Sequence, residues 1–358
     1  MKKIIFIVII PVFVFACIEE DFFGFSSVGD IKSIEISNQA SRAVIDRNTK
    51  NVTLEIPGGV NLTELKIQAL TVSSFATSDL NIGDIIDLTD SALLNVTAED
   101  KVSVTQWTLK AAVASNNPQL PNSDFNTWYQ ASEGYYEPGE NAETTIWGTG
   151  NPGTKLLGLF ATTPLEIVDG NLAAKMETLY NGDLPAGFGT PISAATIYTG
   201  KFDPDKISIT DPQAAIDFGT RFAARPVGFK LMHSYKPGPE NKDKQGNPLN
   251  YGDACDIYML LEVRNGSSVK RLATGWYRND NSIPDVSSIR VDLIYGELPA
   301  DAPEYSKPAD GQYVRADSAT FVLPTHLTLV ATSSFAGAQF AGAVGSELII
   351  DDLELIYK

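Results

Sequence analysis

The chain is short of the parts that most enzymes need. Its 358 residues include only two cysteines, Cys17 and Cys255, and only two histidines, His233 and His326. No Cys-x-x-Cys pair exists, so zinc sites and Ser-His-Asp or Cys-His machinery are starved of ligands and bases. No glycine-rich phosphate loop follows a predicted strand. Positive charge is scarce too: 27 Lys and Arg stand against 44 Asp and Glu, a net charge of −17. Nucleic-acid binding rests on neutralising phosphates with Lys and Arg, which this balance opposes. Acidic polysaccharides are repelled for the same reason unless a local basic patch exists, which leaves neutral or cationic ligands. Amphipathic helical stretches are also lacking, the best being a short one at residues 211–218.

One uncharged run stands out, at residues 4–15, after Lys2 and Lys3 and just before Ala16-Cys17. It is shorter than the roughly 20 apolar residues of a membrane span and suits a secretion signal. Residues 1–17 resemble a bacterial lipoprotein signal peptide. The resemblance implies cleavage before Cys17 and lipidation of that cysteine, against the plainer reading of an ordinary cleaved signal. Glu19, Glu20 and Asp21 follow within an acidic tether at residues 18–30. They resemble the export signal of Bacteroidetes lipoproteins, which implies display at the outer face of the outer membrane; a merely solvated tether is the alternative. Loss of the leader removes Lys2 and Lys3 and leaves a net charge of −19, 25 against 44. Cys255 then has no intramolecular partner, so burial alone must hold the fold.

About 340 remaining residues suffice for two cores. Residues 31–115 read as short strands: Val52, Leu54 and Ile56 alternate with polar neighbours, and Trp107, Leu109, Ala111 and Val113 share one parity. Residues 47–50 suit a hairpin turn, and Pro57-Gly58-Gly59 closes the next strand. This predicts an Ig-like β-sandwich. The stretch resembles Ig-like domains that serve as spacers in Bacteroidetes surface lipoproteins. Two prolines mark residues 116–122 as a linker. Residues 123–358 are rich in Thr, Val, Tyr and Gly with frequent turn signals, which predicts an all-β, two-sheet jelly roll with large loops.

Seven ordered motifs run through this second part: DFNTWY (124–129), WGTGNPGT (147–154), AAKMET (173–178), IYTGKF (197–202), RPVGFKLMHSYKPG (225–238), DACDIYMLLE (253–262) and GSELIIDDLELIY (345–357). Together they resemble the PCMD family, the putative carbohydrate metabolism domain of Bacteroidetes lipoproteins. The chain departs from that family's Tyr-Tyr-Lys-Tyr-like strand, carrying Met232-His233-Ser234-Tyr235-Lys236 instead. The resemblance implies a jelly roll like that of galactose-binding and carbohydrate-binding modules, and a role in glycan utilisation. Some members carry a glycoside-hydrolase label, but no catalytic residues transfer.

Trp128, Tyr129, Tyr135, Tyr136 and Trp147 fall within twenty residues, interleaved with glycines. Sugars stack apolar CH faces on such rings and offer hydroxyls to groups such as Asn151. Tyr135, Tyr136, Trp147 and Asn151 are therefore the candidate glycan-binding residues, while Trp128 alternates as a core residue would. Glu133, Glu137, Glu140 and Glu143 admit a hydrolase reading, in which two carboxylates stand about 5–10 Å apart across the scissile bond; a solvated acidic surface is the alternative. Asp351 shares the parity of Ile349, Leu353, Leu355 and Tyr357, so it needs a bulge or a partner. Carbohydrate-binding jelly rolls often hold a structural calcium where first and last strands meet, which makes Asp124, Asp351 and Asp352 candidate ligands. Ser91 and Ser318 sit in tripeptides resembling a Bacteroidetes O-glycosylation signal. The reading is a surface lipoprotein that captures a neutral glycan, other surface glycan-utilisation proteins being possible partners. A glycoside hydrolase and a non-catalytic adhesive or structural surface protein are the alternatives.

Overall fold

The computed structural model describes residues 24–357 except residue 116 and residues 209–210. Cys17 and the acidic residues 19–21 lie outside the described residues. The chain is all-β and builds two sandwiches with separate cores.

In the first sandwich, Ile31–Ile36, Leu65–Val72 and Ile85–Ile86 form one sheet. The other runs in the order Val44–Asp46, Asn51–Ile56, Val104–Val113, Ala92–Thr97, Thr77–Ser78. Asn51–Ile56 pairs parallel to Val104–Val113, and Val44–Asp46 folds back on it through the turn at 47–50. Val52, Leu54, Ile56, Trp107 and Leu109 are buried as their alternation requires, and the Trp107 indole N–H donates to Gly29 O at 2.9 Å. The shared parity of Trp107 and Leu109 does not carry inward to the strand's end, where Val113 is exposed.

The linker does not swing free. Gln119 exchanges two hydrogen bonds with the Leu355 backbone, Tyr357 Oη donates to Pro118 O, and Leu120 enters the second core. Within the second sandwich the larger sheet has the order Trp147–Thr149, Thr196–Phe202, His326–Thr332, Cys255–Asn265, Ser268–Asn279, Ile294–Tyr295. The facing sheet is Thr162–Val168, Asn171–Glu177, Glu347–Ile356, Gly228–Lys236, Ile283–Asp292. Ile257, Met259, Leu261, Leu327 and Leu329 from the first meet Phe229, Leu231, Leu348, Ile350 and Leu355 from the second. The segment expected to be helical is only a 3-10 turn, Pro212–Ala215, which runs straight into the strand Ile216–Phe218. Cys255 is buried, which pushes its thiol up to about 12.

Candidate functional site

The structure does not bring the four predicted sugar-binding residues together. Trp147 is 2% exposed: its ring lies 5.1 Å from that of Phe125 and its indole N–H donates to Pro121 O at 2.7 Å. It is a core residue, which corrects its assignment to a ligand site. The neighbouring glycine signals packing rather than a loop, because a Cβ at Gly148 would stand 2.8 Å from Tyr198 Cε2. Asn151 is also corrected. Fully buried, it donates to Tyr136 O and Thr162 O and accepts from Thr162 N, so both its donors are spent on backbone. Tyr135 is buried beside Phe160, with Lys155 Nζ 5.8 Å from its ring; burial and then Glu137 push its phenol up to about 12. Tyr136 alone of the four reaches the surface, at 40% exposure. Trp128 packs against the core, as its alternation suggests.

Nor do the four glutamates converge. Glu133 pairs with Lys155 at 2.8 Å, and that hydrogen bond leads the effects that hold its carboxyl at about 2. Glu143 pairs with Arg47 of the first sandwich, and Glu140 is exposed. Glu137 is different: it is 5% exposed, Thr149 Oγ1 donates to its Oε1 at 2.8 Å, and its Oε2 has no partner. Burial pushes its carboxyl up to about 8, against the pull of the Thr149 hydrogen bonds.

The last strand resolves its parity conflict with a bulge. Met232 pairs with Asp351 and Lys230 with Glu354, so Leu231 faces two residues, and Asp352 takes φ +48. Inward burial accordingly switches from Leu348 and Ile350 to Leu353 and Leu355. Only Asp352 turns outward. Asp351 stays buried, accepting from Asn171 Nδ2 at 3.3 Å and from the Asp352 N–H at 2.8 Å. Burial, then the charges of Asp352 and Asp124, raise its carboxyl above the usual carboxylate range. Asp124 and Asp352 share a shallow depression with Lys230 and Glu354, which pair with each other at 2.8 Å. Among the described residues no group of three or more His, Cys, Asp or Glu could hold a metal ion by side chains alone. His233 is a satisfied core histidine, its ring nitrogens 3.1 Å from Ser287 O and 3.1 Å from Tyr277 Oη.

The larger sheet presents a face that sequence reasoning passed over. Cys255, Ile257, Met259 and Leu261 point into the core, so Asp256 and Tyr258 point the other way. In register, Tyr258 stands opposite Trp276 and Asp256 opposite Arg278. The Tyr258 and Trp276 rings stack at 4.0 Å and 15°, and Tyr305 leans on Trp276 at 5.6 Å. Asp256 holds the Arg278 guanidinium through two hydrogen bonds, which lays its plane 3.6 Å from the Tyr305 ring and 4.2 Å from that of Phe335. Tyr305 and Tyr251 are exposed at the rim. Two buried donors here, Trp276 Nε1 and Arg271 Nε, have no hydrogen-bond partner among the described residues. Burial lowers the Arg271 guanidinium and raises the Tyr258 phenol, whose rise Arg271 opposes. Aromatic planes beside unspent N–H donors and a fixed guanidinium suit a ligand with apolar CH faces and hydroxyl oxygens. The signal was the alternation in CDIYMLLE and ATGWYRN, where Asp256, Tyr258, Trp276 and Arg278 fall on the parity opposite the core residues.

Comparison with known proteins settles the family. A model described as "Putative carbohydrate metabolism domain" matches residues 124–356. The chain belongs to this PCMD family. A second model, described as "SGBP, N-terminal", matches residues 31–111. No curated protein matches the chain. Among solved structures, a protein of Bacteroides thetaiotaomicron titled a putative glycoside hydrolase is 21% identical with TM-score 0.58, over 93% of this chain and 98% of its own. Another so titled, from Bacteroides vulgatus, is 23% identical with TM-score 0.53, over 66% of this chain and 97% of its own. At these identities the likeness shows the fold of this PCMD protein and not its chemistry.

Proposed function

We propose that this PCMD protein is a lipid-anchored surface protein that captures glycan on the outer face of its larger sheet. The observation that carries the site is the pair of buried donors without a partner among the described residues, Trp276 Nε1 of the stacked Tyr258–Trp276 pair and Nε of Arg271, whose charge acts on Tyr258. A buried N–H without an acceptor is costly, so such a position favours a ligand oxygen. The two carbohydrate-related family matches support the reading. So does the SGBP name, which stands for surface glycan-binding proteins. Trp276→Ala and Tyr305→Ala should each weaken binding of a glycan found by array screening by about 1–3 kcal/mol, the usual result of truncating an aromatic anchor. Calorimetry checks this, with circular dichroism confirming the fold. Undiminished affinity in both folded variants would remove this face, and a loss confined to Tyr136→Ala would move the site to the separate two-stranded hairpin of Trp128–Gln130 and Tyr136–Pro138.

The anchor rests on Ala16-Cys17 ending the uncharged run after Lys2-Lys3. Cys17→Ser should abolish metabolic labelling by palmitate and release the protein from membranes; persistent labelling would refute it. The hydrolase reading keeps one favourable observation, the proton that Glu137 holds up to about pH 8. Glycan turnover that is lost in Glu137→Gln would establish it.

A further inference from the structure

Between the two sandwiches lies a cavity of about 250 Å³ lined by Arg42, Lys201, Arg221 and Arg264, with Glu35 and Asp217. Four cations face two acids there, in a chain whose net charge is −17. Two of the four are already matched. Arg221 binds Glu35 at 2.8 Å, and Arg264 binds Glu262, which stands behind it, at 2.6 Å. These contacts fix both guanidiniums where they line the cavity. Arg264 also donates to Phe218 O, and Gly219 is needed beside it, because a Cβ there would stand 2.7 Å from Arg264 Nη2. Arg42 spends Nη1 on Thr145 O, and among the described residues neither it nor Lys201 has a carboxylate within ion-pair distance. Burial lowers both, and Arg42 lowers Lys201 further, as two cations facing one space should, while Glu35 and Glu143 raise Arg42 and Asp217 and Glu35 raise Lys201 in part compensation. Burial, then Arg264 and Arg221, push His326 on the same wall down to about 3, so it stays neutral and adds no charge.

We propose that this joint recognises the oxyanion of an acidic sugar, a uronate carboxylate or a sulfate ester. Guanidiniums held in place by carboxylates offer paired N–H groups that match either oxyanion. The cavity is smaller than the roughly 300–1,000 Å³ of drug-sized sites, which suits one sugar residue. A second chamber of about 430 Å³ shares Arg42, Ala43, Ile45, Ile146, Thr220 and Arg221 of its wall. Its Ala43, Ile45, Leu120 and Phe222 lining suits the apolar CH faces of a neighbouring sugar. Local positive potential would thus reverse, at one point, the repulsion that overall charge imposes on acidic glycans.

The test is calorimetric titration of the full chain with glucuronate, glucose 6-sulfate, glucose and inorganic sulfate. At least one sugar anion should bind tenfold or more tightly than glucose and than inorganic sulfate, with affinity falling as salt rises. The tighter of the two names the source. Arg42→Gln and Lys201→Gln should each weaken it at least fivefold; among the described residues Lys201 makes no hydrogen bond or ion pair across the joint, whereas Arg42 bonds Thr145 O, so the Lys201 variant is the one that separates recognition from domain packing. Glucose binding as well as the anions, inorganic sulfate matching them, or Lys201→Gln and Arg42→Gln binding like the parent would overturn the proposal. Tyr258 and Arg264 lie six residues, about 20 Å, apart on one strand. Failure of the aromatic face to bind glycan would therefore leave these titrations readable.

Discussion

At the scale of single residues, burial decides which polar groups hold chemistry and which only hold the fold. Asn151 is spent on three backbone partners, whereas Glu137 keeps one carboxylate oxygen unpartnered at 5% exposure. That imbalance makes a stability prediction with a definite sign. An unfolded Glu releases its proton near pH 4.3, while folded Glu137 holds it to about 8. Below the first value both states are protonated and the carboxyl contributes its full share. Between the two values only the unfolded state sheds the proton, so stability falls as pH rises, by about 1.4 kcal/mol per pH unit from this group. Glu137→Gln keeps an acceptor for Thr149 and cannot ionise. Melting curves from pH 5 to pH 9 should therefore show a smaller decline in the variant than in the parent, and a higher melting temperature above pH 8. Parallel declines would mean that Glu137 is ionised in the fold.

At the scale of elements, alternation was legible where strands are regular and misleading where they are not. The parity of Val52, Leu54 and Ile56 placed them in the first core, and turns at 47–50 and 58–59 followed from Asn, Pro and Gly. Trp147 was misjudged because Gly148 and Gly150 read as loop, when Gly148 in fact makes room for the Tyr198 ring. The sheet face carrying Tyr258 and Trp276 was legible as a hairpin, two alternating strands, Cys255–Asn265 and Ser268–Asn279, joined at Gly266-Ser267, but which outward residues stand opposite each other depends on its register. The bulge at Asp352 was signalled by the apolar pattern changing parity, though not that Asp351 would stay inside. Its φ of +48 supplies a test. A left-handed backbone costs a side chain roughly 1–2 kcal/mol, more where the β-carbon is branched. Asp352→Val should lower unfolding stability by about that amount, whereas Asp352→Gly should leave it unchanged or raise it. Denaturant titration distinguishes them, and equal loss in both would mean that the carboxylate, not the backbone, matters there.

At the scale of the whole molecule, two cores with no shared residue are joined by a linker packed onto the final strand and by a few polar contacts. Arg221 is central among these: its side chain is 11% exposed, and it donates to Glu35 and to Gln68 across the joint. Arg42 adds a hydrogen bond to Thr145 O, and Arg47 pairs with Glu143. None of these residues belongs to either apolar cluster, so removing one should uncouple the sandwiches without opening either core. Hydrogen bonds to charged groups contribute about 1.5–3 kcal/mol, and the 40% exposure of Glu35 places this one toward the lower end. Such an interdomain term governs whether two units melt together. Scanning calorimetry of Arg221→Ala should show the parent's unfolding envelope separating into two transitions, the later one at the parent's temperature. A single unshifted transition would mean that the linker contacts of Gln119, Leu120 and Tyr357 hold the joint by themselves.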